Sequence, residues 1–453
     1  MSIHLTPGRI GDAAFLTGLA TAPWIGLGLI HALWGRDIGA GLQPAYLAFA
    51  VAAVMMLMEN EGRPGLLRPW RGPWGVALGA ILISAAGVFV ADSGVERALT
   101  LGRFGRQVFQ WIVMAVITLV TATKMKKPDM WRPALVALAV GTGFQFLYAV
   151  VQVVDFGHPV SWFHSLDLIF TSNPSILSGS EELYLGHAFT GIPRVRGTAC
   201  EPLYLGNALL LVIPLFLAAA LDRRRWLIPT GAAVGLLVAT WSRGAWLAGG
   251  GAAAAACVMA WRAGLRPTRR GVFLGIGVGA GAAVVLGALA GPEALGLIGD
   301  RLQQSLVRED WSNLTRLYSM QAAWRAFLSS PFVGIGWGQF GYHFHALVDP
   351  RGLQAQFDWP VVNNVPLMIL CETGLVGFAA LIAGASGIMR RTWSRLSPGA
   401  DASVPHQRRI RLIAAATAMV GVWGQLMTFS QYNLPHIWIS LGFVLALTGR
   451  DEA

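Results

Sequence analysis

Arginines gather in three places along a chain that is otherwise sparing with charge. The first is Arg194-Val-Arg196-Gly197-Thr198-Ala-Cys-Glu201-Pro202, and the second is Trp241-Ser242-Arg243-Gly244. The third is a polar segment carrying Arg301, Arg308, Asn313, Arg316 and Arg325. A guanidinium stays charged at any ordinary pH and can grip phosphate oxygens two at a time, so such clusters suit an anionic ligand. Glu201 stands beside the first cluster as a candidate base, with Pro202 suited to the first turn of a helix. His343 and His345 are alternative bases near neutral pH. Asn363 and Asn364 come next, then Gly374-Leu-Val-Gly377 with Glu372 beside it; Asn363, Asn364 and Arg325 are further polar candidates for touching substrate. Each pattern also has a plain structural reading. Glu201 could be a capping carboxylate, Arg243 an arginine reaching to headgroups, Arg316 part of a solvated helix face, and Asn363-Asn364 a polar helix cap.

The elements that position these residues follow from composition. The chain has 453 residues, 55% apolar and only 13% charged, with a mean hydropathy of +0.55. Soluble domains carry roughly a quarter charged residues. The apolar runs approach the ~20 residues a helix needs to cross the hydrocarbon of a bilayer, and the short alternating strands of an outer-membrane barrel are absent. An all-α polytopic membrane protein is expected. The net charge of +11 sits largely in short loops between apolar runs, which marks topology rather than nucleic-acid binding. Cys200, Cys257 and Cys371 are widely spaced and support neither a disulfide framework nor a zinc site. No carboxylate cluster points to another metal, and no cofactor is expected.

Twelve apolar segments can be marked, at about 14–34, 40–58, 74–91, 107–123, 133–153, 203–221, 226–241, 244–261, 272–290, 365–388, 412–428 and 432–449. The first is too long for a signal-peptide core and reads as a retained helix. Most of the 34 lysines and arginines fall in alternate loops, which puts both termini in the cytoplasm. The whole chain, 1–453, then forms one membrane domain, with two long loops, 154–202 and 291–362, on the opposite face. Within the second, Leu317, Met320, Gln321, Trp324, Phe327 and Leu328 recur at helical spacing and end before Pro331. That face is expected to pack on the membrane domain. The following Gly334-Ile-Gly336-Trp-Gly338 reads as a tight turn with exposed backbone; it follows no strand and lacks a lysine-serine ending, so it is no nucleotide loop.

In this order and spacing the motifs resemble the O-antigen ligase and O-antigen polymerase superfamily of bacterial envelope glycosyltransferases. The resemblance covers roughly residues 190–380: the Arg-Gly-Thr loop, the Ser-Arg-Gly turn, the arginine helix before Pro331-Phe-Val-Gly-Ile-Gly, and the Asn363-Asn364 to Gly374 segment. It implies an inner-membrane enzyme whose active site faces the periplasm. Such an enzyme moves a glycan from an undecaprenyl-pyrophosphate carrier to an acceptor hydroxyl without a metal. By position, Arg194, Arg196, Arg243 and Arg316 would hold the pyrophosphate. One departure matters: the ligase pattern carries a histidine where this chain has Asn363, and an amide cannot act as a base. The base then falls to Glu201, His343 or His345. Glu201-Pro202 after Arg196-Gly197 leans toward a polymerase, with a ligase to lipid A-core as the alternative. A lipid-linked oligosaccharide flippase is the rival from another class, disfavoured because His31, Glu372 and His436 are the main ionisable residues within the expected spans.

Overall fold

In the computed structural model, the described residues are 6–28, 43–59, 73–91, 93–171, 194–265, 311–344, 347, 351–352, 359–397 and 406–449, with scattered positions between 269 and 303. His31, Arg301, Arg308, His345 and most of the 272–290 segment lie outside them. All regular elements among the described residues are helical. We number the α-helices α1 (Pro7–Ala20), α2 (Pro44–Met58), α3 (Pro73–Ile83), α4 (Ala85–Val90), α5 (Arg97–Lys124), α6 (Trp131–Gly157) and α7 (Ser161–Phe170). They continue as α8 (Pro202–Asp222), α9 (Leu227–Ala239), α10 (Arg243–Arg262), α11 (Trp311–Ser329), α12 (Phe340–His343), α13 (Val365–Leu396), α14 (His406–Gln425) and α15 (Pro435–Thr448). Five of them, α5, α6, α8, α10 and α13, are long and apolar enough to cross a membrane; α2, α3 with α4, and α15 are shorter apolar helices.

Proline sits in the first turn of α1, α2, α8, α13 and α15, where its missing N–H costs nothing. Small residues then let the long helices approach. α14 packs against α8 and α10, where Gly421 sits against Leu210 and Ala252. α15 packs against α5, and the Thr118 hydroxyl donates to the Trp438 carbonyl at 3.1 Å. At one end of the bundle Lys124 is fully buried and donates to Asp12 at 2.7 Å, tying α5 to α1. Arg262 and Ser397 hydrogen-bond at that same end, where Arg262 lies over the Trp393 ring and Arg411 over Trp131. The candidate turns at 194–202 and 240–244 lie one helix length away, at the other end of α8, α9 and α10.

Two expectations change. The bulky stripe of α11 does not face the membrane domain. Of that stripe Phe327 alone is buried, beside Ser319, Ala322, Ala323 and Ala326, while Leu317, Met320, Gln321, Trp324 and Leu328 are exposed. The alanines allow α11 to lie close on α13, which turns the larger side chains outward. The Gly334–Gly338 turn is not backbone-exposed either. It is docked on α13 where that helix breaks at Gly374, whose φ of +64° and closeness to the Phe332 carbonyl exclude a side chain. Ile335 and Gly336 donate to the carbonyls of Cys371 and Glu372, each at 3.0 Å, and Leu375 donates to the Pro331 carbonyl at 2.9 Å.

Glu372 closes this junction. Its buried carboxyl group accepts from the backbone N–H of Gly338 at 2.9 Å and of Phe340 at 3.1 Å. Arg103 of α5 donates to the Gly338 carbonyl at 2.7 Å and stacks on Trp359 at 3.3 Å. Removing the acceptor strands the buried Phe340 N–H, at ~1–3 kcal/mol, and the half-buried Gly338 N–H. Glu372→Ala should therefore lower the thermal midpoint in detergent clearly more than Glu372→Gln, which keeps one acceptor oxygen. Equal midpoints for the two variants would show that the carboxyl group does not hold the turn.

Candidate functional site

The first arginine loop is fixed from below by two glutamines. Gln145 and Gln152 are seven residues apart on α6, so they share one face of an otherwise apolar helix. Gln152 Oε1 accepts from the N–H groups of Arg196 and Gly197, at 3.2 and 2.9 Å. Gln145 Oε1 accepts from Thr198 N–H at 2.8 Å, and its amide donates back to the Thr198 hydroxyl at 2.6 Å. Gly197 has φ +54°, and a Cβ there would run into Gln145, so only glycine fits the turn.

Arg196 is 1% exposed, and its Nη2 pairs with Asp167 of α7. The other Asp167 oxygen accepts from the Tyr148 hydroxyl. Arg196 Nε and Nη1 find no hydrogen-bond acceptor among the described residues. This arginine thus lies beneath the loop and is already half-neutralised. Arg196→Ala would strand a buried carboxylate at about 3–5 kcal/mol, so its effect on folding cannot be separated from one on binding.

Arg194 is half-buried and reaches across to the second cluster: its Nε donates to the Thr240 carbonyl at 3.4 Å, and Val195 N–H donates to Ala239 O at 3.1 Å. Glu201 occupies the N-cap position of α8, but its side chain accepts no helix N–H, so the capping role does not describe it. Burial pushes its pKa up to about 7, against the opposing pulls of a Tyr204 hydrogen bond and the Arg194 charge.

Ser242 caps α10, accepting from Ala245 N–H at 3.4 Å, and Arg243 is the first helical residue. Cys200 (φ +65°) and Trp241 (φ +49°) are the two non-glycine residues with positive φ among the described ones. Each such conformation costs of order 1 kcal/mol or more, and both fall in these facing turns.

The 426–434 segment joins the clusters. Phe429 packs on Tyr204 with ring centroids 6.0 Å apart, and Thr428 sits against Gly244. Leu426 O accepts from Val365 N–H at 2.9 Å, and Met427 O accepts from the Asn364 amide at 3.1 Å. Asn364 Oδ1 caps α13 by accepting from Leu367 N–H at 2.9 Å, so both ends of this amide are engaged. Asn363 N–H donates to the Ser319 hydroxyl at 3.3 Å, and that hydroxyl donates to the Arg316 carbonyl at 2.8 Å. The site line from α11 through α13 to α10 and α8 is therefore continuous. Arg194, Arg243, Arg316, Glu201, Asn363 and Asn364 all sit along it, at the end where α8, α10 and α13 begin.

Arg325 is exposed, on the side of α11 away from Arg316. His343 closes α12, three residues beyond the Phe340 N–H bonded to Glu372. Asp167, Tyr148, Gln145 and Gln152 were not singled out from sequence, although an aspartate within Trp162-Phe163-His164-Ser165-Leu166-Asp167-Leu168 signals a buried partner.

No curated protein matches this chain in a sequence comparison. Residues 228–382 match the model of a family described as O-antigen ligase. The matched segment contains Arg243, Arg316, Asn363, Asn364 and Glu372, while the Arg194–Glu201 loop outside it packs directly on the 239–240 turn. Over that segment, about a third of its length, the chain is similar to the O-antigen ligase family.

Proposed function

We propose that this protein is a membrane glycosyltransferase that moves a glycan from a polyprenyl-pyrophosphate carrier to an acceptor hydroxyl at the outer face of the bacterial inner membrane. The observation that supports this reading is that Arg194 and Arg243 belong to two touching turns at the N-termini of α8 and α10, while the Arg316 carbonyl is linked through Ser319 to Asn363 at the start of α13. Helix N-termini present unpaired N–H groups and a partial positive charge, which favours an anion there.

In the proposed reaction the acceptor oxygen attacks the anomeric carbon and gives its proton to the Glu201 carboxylate. The bond from that carbon to the pyrophosphate oxygen breaks, and its electron pair leaves on the pyrophosphate. Arg194, Arg243 and Arg316 offset that growing charge, which is where preorganised donors lower a barrier most. Arg196, held by Asp167, acts mainly by fixing the loop that carries Arg194 and Glu201. Glu201 then releases its proton to water.

The acceptor decides between a polymerase, which the Glu201-Pro202 pattern favours, and a ligase, which the family description favours. Polysaccharide gels of a deletion strain separate them. A single repeat unit still joined to lipid A-core marks a polymerase, and we expect this pattern. Bare core with accumulating lipid-linked polymer marks a ligase. An unchanged ladder would contradict both.

A further inference from the structure

α11 presents a second apolar surface that nothing in the protein covers among the described residues. Leu317, Met320, Trp324 and Leu328 are 36–59% exposed, and at 100° per residue they share one arc of the helix, of roughly 80°. Arg316 lies beyond one edge of that arc and Arg325 beyond the other. The opposite face is buried on α13; the exposed Arg325 lies on the polar arc between the two apolar faces, and the half-buried Arg316 lies between Ala323 and Phe327, next to the stripe's Met320 edge.

The stripe does not end with the helix. Phe332, 70% exposed, follows it, and its carbonyl accepts from Val376 N–H at 3.3 Å. Leu375 and Val376 begin the outward face of α13, which continues through Ile382 and Met389, all exposed. α13 is long and apolar enough to span a bilayer, so that outward face meets lipid. Leu317 to Phe332 thus extends a lipid-facing surface onto a helix that its place in a polar loop would assign to water. A contiguous run of large side chains is what water-exposed surfaces avoid.

We infer that α11 is an interfacial helix whose Leu317–Leu328 stripe lies among the acyl chains of the bilayer leaflet at the candidate-site end. Trp324 sits where an amphipathic ring is favoured, at the hydrocarbon–headgroup boundary, and Arg316 and Arg325 reach the headgroup phosphates on either side. The surface belongs to bilayer lipid, not to a second protein copy. It sets the depth at which Arg316 works: level with the phosphates of whatever lipid diffuses in. This placement does not depend on the transfer reaction.

The test uses the full chain with Cys257 replaced by serine, reconstituted in phosphatidylethanolamine–phosphatidylglycerol vesicles free of polyprenyl lipid. Nitroxide labels are placed singly through Met320→Cys, Trp324→Cys, Leu328→Cys and Arg325→Cys, all exposed positions that leave the packed face intact. Collision with oxygen should exceed collision with a water-soluble nickel chelate several-fold at the first three, with the preference reversed at Arg325. Equal chelate access at all four positions would overturn the inference. So would low access to both reagents with dipolar broadening between labels, which would mean a second copy covers the stripe.

Discussion

Glu201→Gln should cut glycan transfer by about 10²–10⁴-fold, the range a positioned general base supplies, without loss of folded protein. The carboxyl group stands at the start of α8 without capping it, so the amide removes no helix hydrogen bond. The sign of the pH effect follows from burial, which holds the Glu201 pKa at about 7. The base works as carboxylate, so the wild-type rate should fall about tenfold per pH unit below 7 and level off above it. Arg194 favours the ionised form, so Arg194→Gln should move that acid limb to higher pH. Linkage gives a control. A carboxyl group whose folded pKa is raised binds its proton more tightly when folded, so its contribution to stability fades as pH rises from the ordinary carboxylate range through 7. At pH 8 the glutamine variant should therefore be no less stable than wild type. A profile unchanged in Glu201→Gln, but lost in His343→Ala or His345→Ala, would move the base to the histidines.

Arg243→Ala and Arg316→Ala should each lower the transfer rate by about 10²–10³-fold, as removal of one preorganised donor to a developing charge does. Both arginines are half-buried, where Arg196 is 1% exposed, so their truncation should disturb the fold less than that of Arg196. Arg243→Lys and Arg316→Lys should recover only part of the loss, since an ammonium lacks the planar fork that holds two phosphate oxygens. Initial rates with purified variants in vesicles, checked against thermal midpoints, read this directly. Wild-type rates in both alanine variants would remove the arginines from the reaction.

Much of this site was legible because its parts lie at helix starts. Pro202, Ser242-Arg243 and Asn364 punctuate apolar runs, and α8, α10 and α13 begin at those points. The floor of the site was not legible. Gln145, Gln152 and Asp167 are single polar residues inside apolar helices, and their meaning rests on partners far along the chain. Their seven-residue spacing marks the two glutamines as one face, but not what that face holds. α11 was read with its stripe inward because hydrophobic periodicity in water has one meaning, burial in protein. Beside a bilayer it has two, and the alanines on the other face were the residues that decided it. The glycine turn was misjudged for a related reason: its backbone donors are met by Glu372, 34 residues away from Gly338.

The central claim, that this end of the bundle breaks a glycan–pyrophosphate bond, is tested most directly by product stoichiometry. Purified protein in vesicles would be given polyprenyl-pyrophosphate-linked glycan and acceptor, and free polyprenyl pyrophosphate and new glycosidic bonds counted together. One carrier should be released per bond formed, with both products lost together in the Arg243→Ala, Arg316→Ala double variant. Movement of intact lipid-linked glycan across the bilayer with no carrier released would contradict the account and make the protein a transporter.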